Sequence, residues 1–304
     1  MLEVIMIGCG ATRPEPNRAV ASCALRYRGR VILLDCGEGT QTAARKAGIS
    51  LVKTDMICLT HYHGDHLFGV PGLLQTMAGL GRVEPVMITG PQQDYDRTVS
   101  LLLQLAGPLP FEIIQRPLSM IKDRLDLGDG LELETGPLNH RVPCIGYRFT
   151  LRRPGRFLPE KAIELKVEKK LWGKLQKGQT VLTMDGKTVL PQQVMGPERK
   201  GLTLVYATDT APCASLTALA DQADLLICDA TYASNEDRDK AALYGHNTFC
   251  QCARTALEAH VKKLWLTHYG GALTHPEEQI AYARDIFPET EAGYDGKKQE
   301  FTFE

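Results

Sequence analysis

Residues 60–66 read Thr-His-Tyr-His-Gly-Asp-His, which brings three imidazoles and one carboxylate together within six residues. Neutral imidazole and carboxylate groups are good ligands for zinc and similar divalent ions. The spacing of His61 and His63 puts both rings on one side of an extended segment, and Asp65 and His66 follow in a turn where they can address a second position. Ordering these groups together without a cation would be costly. The stretch therefore predicts a metal site.

The flanking sequence places this cluster at the end of a strand. Asp55–Thr60 is a short apolar strand that runs directly into the histidines, and Leu67–Leu80 has a helical pattern. Two later apolar strands, Leu202–Thr208 and Lys263–Thr267, are likewise followed at once by a polar residue, Asp209 or His268. The carboxyl ends of buried strands are where α/β proteins place their chemistry. We therefore expect these side chains to meet.

Two further histidines are candidates for the same site. His140 lies at a predicted strand end, and His246 lies at a predicted helix start where Asn247 or Thr248 could cap the helix. Taken alone, either imidazole would more often be a hydrogen-bonded bystander than a ligand. Beside the cluster at 61–66, both become candidates for the site.

The remaining pattern alternates strands and helices, which predicts a layered α/β architecture. We expect further strands at Leu2–Ile7, Cys23–Tyr27, Arg30–Asp35, Pro85–Thr89 and Leu225–Asp229. We expect further helices at Glu38–Ala47, Asp96–Leu105, Ser215–Ala220, Thr248–His260 and Pro276–Ile286.

One segment, residues 152–199, differs from the rest of the chain. Between Arg152 and Lys177, nine basic side chains are matched by only three glutamates. We interpret residues 152–199 as an arm that is inserted into, and protrudes from, a single domain spanning residues 1–304. A solvated loop with ordinary surface lysines is the alternative interpretation.

Composition excludes several classes of protein. The chain has 304 residues with 35 basic and 36 acidic side chains, and its net charge of -1 argues against wholesale electrostatic binding of nucleic acid, although a local basic patch remains compatible with it. No apolar run is long enough for a transmembrane helix, and the first residues read as a strand, so we expect no membrane association. Nine scattered cysteines are typical of reduced thiols in a cytoplasmic protein.

Several motifs in this sequence resemble those of the ribonuclease Z family, the tRNA 3′-processing endonucleases of the metallo-β-lactamase superfamily. The cluster at 60–66 alone resembles only the superfamily signature, whereas the other motifs are more specific. They occur in family order and span nearly the whole chain: Asp35-Cys-Gly-Glu-Gly-Thr-Gln41, His66-Leu-Phe-Gly-Val-Pro-Gly-Leu-Leu74, His140-Arg-Val-Pro-Cys-Ile-Gly-Tyr-Arg148, Ala207-Thr-Asp-Thr210, Tyr244-Gly-His-Asn-Thr248 and Leu266-Thr-His-Tyr269.

The resemblance implies a four-layer αβ/βα sandwich with two zinc ions at its edge. It assigns His61, His63 and His140 to one ion, Asp65, His66 and His268 to the other, and Asp209 as the bridge between them. It also implies a homodimer whose basic arms bind precursor tRNA, with Lys169, Lys170, Lys174 and Trp172 as candidate arm contacts. Trp172 could instead anchor the arm. The arm lacks the Gly-Pro pair usual in that family, and Tyr269-Gly-Gly-Ala-Leu273 replaces a Ser-rich stretch.

The implied reaction is cleavage of the 3′ trailer from a tRNA precursor, which leaves a 3′-hydroxyl on the tRNA and a 5′-phosphate on the trailer. Asp65 and His246 are the candidate catalytic residues, with His246 serving the leaving oxygen. Manganese is an alternative to zinc, because imidazole and carboxylate accept both. Three alternative functions remain open: a phosphodiesterase for a small diester such as a cyclic nucleotide, a thioester or amide hydrolase, and a non-catalytic RNA-binding or scaffold protein.

Overall fold

The computed structural model describes residues 1–303, which form two compact units. The main unit comprises Met1–Thr150 and Thr203–Thr302, and the inserted unit comprises Leu151–Leu202 together with Phe303. Each unit has its own buried apolar side chains.

The main unit is built on two seven-stranded sheets. The first sheet has the order β16-β1-β2-β3-β4-β5-β6, with strands β1 Leu2–Gly8, β2 Ser22–Tyr27, β3 Arg30–Leu34, β4 Thr54–Cys58, β5 Val86–Pro91, β6 Ile113–Leu118 and β16 Lys298–Phe301. The second has the order β15-β14-β13-β12-β9-β8-β7, with strands β7 Arg124–Asp126, β8 Leu131–Pro137, β9 Ile145–Arg153, β12 Arg199–Ala207, β13 Leu225–Asp229, β14 Leu264–Thr267 and β15 Thr290–Ala292.

Helices cover the outer faces of the two sheets, while the sheets meet each other between them. The helices of the main unit are α1 Thr40–Lys46, α2 Gly64–Leu67, α3 Val70–Gly79, α4 Tyr95–Ala106, α7 Ala214–Ala220, α8 Arg238–Tyr244, α9 Phe249–Glu258 and α10 Ala281–Arg284. Helices α1, α3 and α4 share one apolar core with the first sheet, and α7 and α9 contact strands of the second. The Tyr147 hydroxyl donates to the Leu59 carbonyl at 2.6 Å and links the sheets. This is the predicted four-layer α/β sandwich.

Parallel strand pairing places the polar residues of the two sheets at a common edge. In the first sheet β3 to β6 run parallel, and in the second β12 to β15 do so. Asp35 directly follows β3, and Asp209 and His268 follow β12 and β14. All three adopt left-handed backbone conformations, with φ of 57°, 52° and 60°. Such conformations are unusual for residues other than glycine and mark positions that the surrounding structure holds in place.

The predicted helix at Pro276–Ile286 is wrong as a single element. The segment forms a 3₁₀ turn at Pro276–Gln279, followed by the separate short helix α10. Within the segment only Pro276 and Ala283 are buried. Two buried side chains seven positions apart provide too little packing to stabilise a continuous helix, since helices in proteins depend on a buried face.

The inserted unit has a small core of its own. It contains helices α5 Pro159–Glu164 and α6 Lys169–Gln176 and a hairpin of β10 Val181–Leu182 with β11 Thr188–Val189. Its buried residues are Ala162, Val167, Leu175, Val181, Val189 and Val194. A solvated loop would bury no such cluster. Among residues 1–303 there is no helix with the length and apolarity needed to cross a membrane.

Candidate metal centre

The loop after β4 carries the histidine cluster and lies against the loop after β3. His61 and His66 are fully buried, and His63 and Asp65 are half-buried. Gly37 makes this close approach feasible, because a Cβ atom there would lie 2.1 Å from the Asp65 carbonyl oxygen. A side chain at position 37 would therefore separate the two loops.

Four side chains form the first ligand group. Ligand atoms of His61, His63, His140 and Asp209 all lie within 4.8 Å of one another. Nδ1 of His63 faces Nε2 of His61 at 3.0 Å and Nε2 of His140 at 3.3 Å. In each facing pair, only one of the two nitrogens can carry a proton that lies between them. The other nitrogen presents a lone pair, and these lone pairs point toward the space shared by the three rings. A cation in that space would satisfy them.

The second group consists of Asp65, His66 and His268, with Asp209 between the groups. Nε2 of His66 and Nε2 of His268 each lie 3.1 Å from Asp209 Oδ1, and 3.4 Å from each other. The buried Oδ1 atom nevertheless accepts no hydrogen bond. A buried carboxylate oxygen without a donor is costly, whereas a divalent cation would be a suitable partner. The donor set therefore fits metal ions.

The imidazoles of these groups are held from behind through their other nitrogen. Nδ1 of His61 meets the Thr60 hydroxyl at 3.0 Å, and Nδ1 of His140 meets the Gly245 carbonyl at 3.0 Å. Gly245 has a φ of 74°, and a Cβ atom there would lie 2.8 Å from His140 Nδ1. Such outer contacts hold Nε2 toward the centre, as is usual for metal-ligating histidines.

Asp35 connects this network and was not assigned a role from the sequence. Its carboxylate accepts the Thr60 amide at 2.8 Å, faces His66 Nδ1 at 2.8 Å, and accepts the hydroxyls of Tyr206 and Thr208 at 3.2 and 3.3 Å. Thr60 and His66 belong to the first-sheet loop, and Tyr206 and Thr208 to the second sheet. The Asp-Cys-Gly-Glu-Gly-Thr-Gln motif drew attention to Asp35 in the sequence. Its contacts with both sheets could be found only from the folded structure.

Asp229 is a second residue that the sequence did not single out. It ends β13, is fully buried, and its Oδ2 lies 2.8 Å from His246 Nδ1. Its Oδ1 accepts the Thr231 hydroxyl at 2.7 Å, and that hydroxyl lies 3.2 Å from His268 Nδ1. The sequence did contain a sign of its importance, because Asp229 is the polar residue at the end of an apolar strand, as Asp209 is after β12. Thr248 caps α9, as predicted, by accepting the Gln251 amide.

Electrostatics within the cluster divide the histidines into two kinds. Burial lowers the pKa of His61 and His140, which favours their neutral, ligand-competent forms. Burial also opposes charge on His66 and His268, but Asp209 and neighbouring carboxylates outweigh it and raise both pKa values, that of His268 to about 10. Burial likewise opposes ionisation of Asp65, yet His268 and His66 hold its pKa well below the usual range.

The other predicted residues lie elsewhere. Lys169, Lys170 and Lys174 are exposed on α6 of the inserted unit. Trp172 is half-buried, donates to the Val167 carbonyl at 3.1 Å and packs on Phe157, contacts that agree with the anchoring role considered for it. All nine cysteines are free, and none belongs to the metal-binding groups found within residues 1–303.

A cavity of about 480 Å³ opens over the cluster. Its walls include ligand residues from both groups, together with Glu38, Phe68, Arg141 and His246. The His246 side chain is 14% exposed, whereas His268 is 2% exposed. His246 therefore faces the cavity from beside the ligand groups, although its ring nitrogen is also close enough to Asp209 and His268 to form a third, smaller group.

Comparisons with known proteins agree with this geometry. The sequence profile of the metallo-beta-lactamase superfamily matches residues 17–148, and this match implies that the cluster binds divalent metal. Proteins named Ribonuclease Z from Alkaliphilus oremlandii and Lachnoclostridium phytofermentans are 41% and 40% identical to this chain, covering 100% of it and 99% of each relative. The crystal structure of human tRNase Z, short form, aligns over 99% of this chain and 100% of that one, with a TM-score of 0.71 at 23% identity.

The Asp35→Asn substitution tests the role of the buried carboxylate. An amide that donates toward His66 Nδ1 would favour the tautomer whose Nε2 carries a proton, which cannot bind a metal. We expect the affinity of the second group for zinc to fall roughly 10- to 100-fold, measured by calorimetric titration of the metal-free protein.

Asp224→Asn is the matched control for this substitution. Asp224 is also buried and accepts a backbone amide, that of Thr203 at 2.8 Å, but it touches no residue of the cluster. Its variant is expected to lose stability while keeping both metal affinities. Equal zinc affinity in the Asp35→Asn and wild-type proteins would contradict the assignment.

Proposed function

Because this chain belongs to the ribonuclease Z family, we propose that it is a metal-dependent endoribonuclease that removes the 3′ trailer from tRNA precursors. The observation that carries the proposal is the full-length similarity to proteins of that name, in a chain whose fold brings the seven candidate His and Asp ligands together. No feature of the cavity favours a small diester over this substrate.

The two ligand groups are proposed to hold two zinc ions per chain, with manganese as the alternative metal. His61, His63 and His140 would hold one ion, Asp65, His66 and His268 the other, with Asp209 shared between them. When bound, such ions polarise a phosphodiester and lower the pKa of a bound water to about 7. The spare oxygen of Asp209 and the facing imidazole nitrogens support this assignment.

Two residues are proposed to handle protons. The Asp65 carboxylate lies in the cavity wall, with Oδ2 held by the Thr12 amide at 2.7 Å, and it can accept a proton from the attacking water. His246 can give a proton to the departing ribose 3′-oxygen, which is a poor leaving group. Asp229 positions His246 through the 2.8 Å contact at Nδ1. Bond cleavage then leaves a 3′-hydroxyl on the tRNA and the phosphate on the trailer.

Recognition of the tRNA body is proposed to come from the inserted unit. Lys169, Lys170 and Lys174 are exposed on one short helix, where they can contact backbone phosphates. Trp172 is also proposed as a substrate-binding residue, acting chiefly by anchoring that helix.

The family resemblance also supports a homodimer, and light scattering would measure this oligomeric state. The nine free cysteines support a cytoplasmic location, which fluorescence of a tagged chain tests.

Cleavage of a 5′-labelled tRNA precursor by the metal-loaded protein tests the function directly. We expect one cut just 3′ of the discriminator nucleotide. Hydrolysis of bis(p-nitrophenyl) phosphate, measured in parallel, reports the metal chemistry alone. If only this small diester is hydrolysed, the proposed substrate is wrong while the metal site stands.

Replacing His246 by alanine should separate proton donation from metal binding. We expect cleavage of the tRNA precursor to fall on the order of 10²–10⁴-fold in kcat. Hydrolysis of bis(p-nitrophenyl) phosphate should fall far less, because p-nitrophenolate leaves without a proton. Single-turnover rates on both substrates measure the ratio, and metal content is checked alongside.

His275→Ala is the control, since that imidazole is 65% exposed and lies outside the cluster. It should leave both rates unchanged. Loss of equal size on both substrates, or loss of bound metal in His246→Ala, would show that His246 acts as a ligand.

The arm lysines are expected to contribute through phosphate charge. A Lys169→Ala/Lys170→Ala double variant should weaken precursor binding and make its salt dependence shallower by about 1 unit of slope per lost phosphate contact. Filter binding across a range of salt concentrations measures this slope. Lys298→Ala, an exposed lysine of β16 in the main unit, is the control and should keep the wild-type slope. An unchanged slope in the double variant would contradict the assignment.

A further inference from the structure

A second cavity, of about 630 Å³, adjoins the one over the metal ligands and has no role in the mechanism given above. The two cavities share three wall residues, Thr12, Arg141 and His246. We call the second one the His246 side cavity. It contains none of the seven proposed metal ligands, so it begins where the catalytic cavity ends, at the imidazole that serves the leaving oxygen.

Two aromatic side chains and two cations line the side cavity. Lys240 Nζ lies 5.1 Å from the ring centre of Tyr232, and the Arg141 guanidinium lies 5.3 Å from that of Tyr244. Within residues 1–303 neither cation has a carboxylate partner within ion-pair distance. Aromatic faces together with unpaired cations are what proteins use to bind single-stranded nucleic acid, by base stacking and phosphate contact.

The lining of the side cavity also includes four small residues, Ala11, Gly270, Gly271 and Ala272. The last three belong to the Tyr-Gly-Gly-Ala-Leu stretch after His268. Their small side chains take up little of the cavity.

Tyr232 is firmly positioned relative to the catalytic residues. Its amide donates to the Asn247 carbonyl at 3.2 Å, and its own carbonyl accepts the Phe249 amide at 3.0 Å. These bonds tie it to the residues that directly follow His246. The preceding residue, Thr231, contacts both Asp229 and His268. The backbone of Tyr232 is therefore held next to His246 and Asp229.

The stereochemistry of the reaction decides which nucleotide reaches this cavity. In an in-line displacement the attacking and leaving oxygens lie on opposite sides of phosphorus. His246 serves the leaving 3′-oxygen, so the nucleoside that carries this oxygen lies on the His246 side of the phosphate. The trailer, which keeps the phosphate, lies on the other side of phosphorus, away from His246.

We propose that the His246 side cavity binds the discriminator nucleotide, the last nucleotide of the mature tRNA, by stacking its base on Tyr232 and Tyr244 while Arg141 and Lys240 contact the adjoining phosphate. This assignment rests on the proposed function and adds the subsite for the tRNA side of the cut. Stacking on an aromatic ring does not depend on base identity, so the cavity can bind any of the four bases.

The test pairs protein variants with precursors that lack a single base. One precursor is abasic at the discriminator nucleotide and another at the first trailer nucleotide, and kcat/KM is measured for both beside the intact precursor. For the wild-type protein, loss of the discriminator base should lower kcat/KM by roughly 5- to 150-fold, the range typical of one stacked base. In Tyr232→Leu or Tyr244→Leu this penalty should largely disappear, and Tyr232→Phe should retain it.

The quantity compared is the ratio of kcat/KM for the intact precursor to kcat/KM for the abasic precursor, measured with each variant. A general loss of activity lowers both values equally and leaves this ratio unchanged. Phe68→Leu, which alters an exposed aromatic residue that lines the cavity over the metal ligands but not the His246 side cavity, should keep the discriminator penalty. The inference is overturned if the penalty persists in both tyrosine variants, if the wild-type protein shows none, or if the tyrosines couple to the first trailer base instead. A wild-type protein that leaves the intact precursor uncut would overturn the proposed function itself.

Discussion

The buried carboxylate of Asp35 joins the two sheets at the edge where the metal ligands emerge. It holds the Thr60 amide at the start of the histidine loop and faces His66, and it accepts hydroxyls from Tyr206 and Thr208 of the opposite sheet. A carboxylate at this depth is tolerated because donors satisfy it, among them the Thr60 amide and the hydroxyls of Tyr206 and Thr208. The first-sheet loop and the second-sheet strand ends therefore cannot shift independently, and the spacing of the two ligand groups follows from that.

Each sheet supplies half of the chemistry. The first-sheet loop brings His61, His63, Asp65 and His66, and the second sheet brings His140 between β8 and β9 and Asp209 and His268 at its strand ends. Their nitrogen and oxygen atoms face one another at 3.0–3.4 Å, an arrangement that a cation stabilises and that water in a narrow buried gap does not. His246 stands at the boundary of this polar centre, held by Asp229, and separates the catalytic cavity from the one lined by aromatic rings. The sites proposed for metal binding, proton transfer and base recognition thus occupy adjoining parts of one sheet edge.

Prediction from sequence worked best where residues that act together are neighbours in the chain. The cluster at 60–66 and the strand ends before Asp209 and His268 were visible because short apolar runs stopped at polar residues. The prediction of one helix at Pro276–Ile286 was wrong, because helical propensity does not indicate how many side chains of a segment become buried. Asp35 and Asp229 were missed as positioning residues, since their partners lie up to 173 positions away and only the fold brings them within hydrogen-bond distance.

By itself, the sequence determined the layered α/β class, the ligand types and the family resemblance, because these depend on local spacing and on side-chain chemistry. Only the tertiary structure decided which carboxylates orient the imidazoles, and that Tyr232 and Tyr244 share a cavity with Arg141 and Lys240. The physical reason is that these relations are distances across two sheets and several loops. Such distances are set by how the sheets pack, and no short stretch of sequence contains that information.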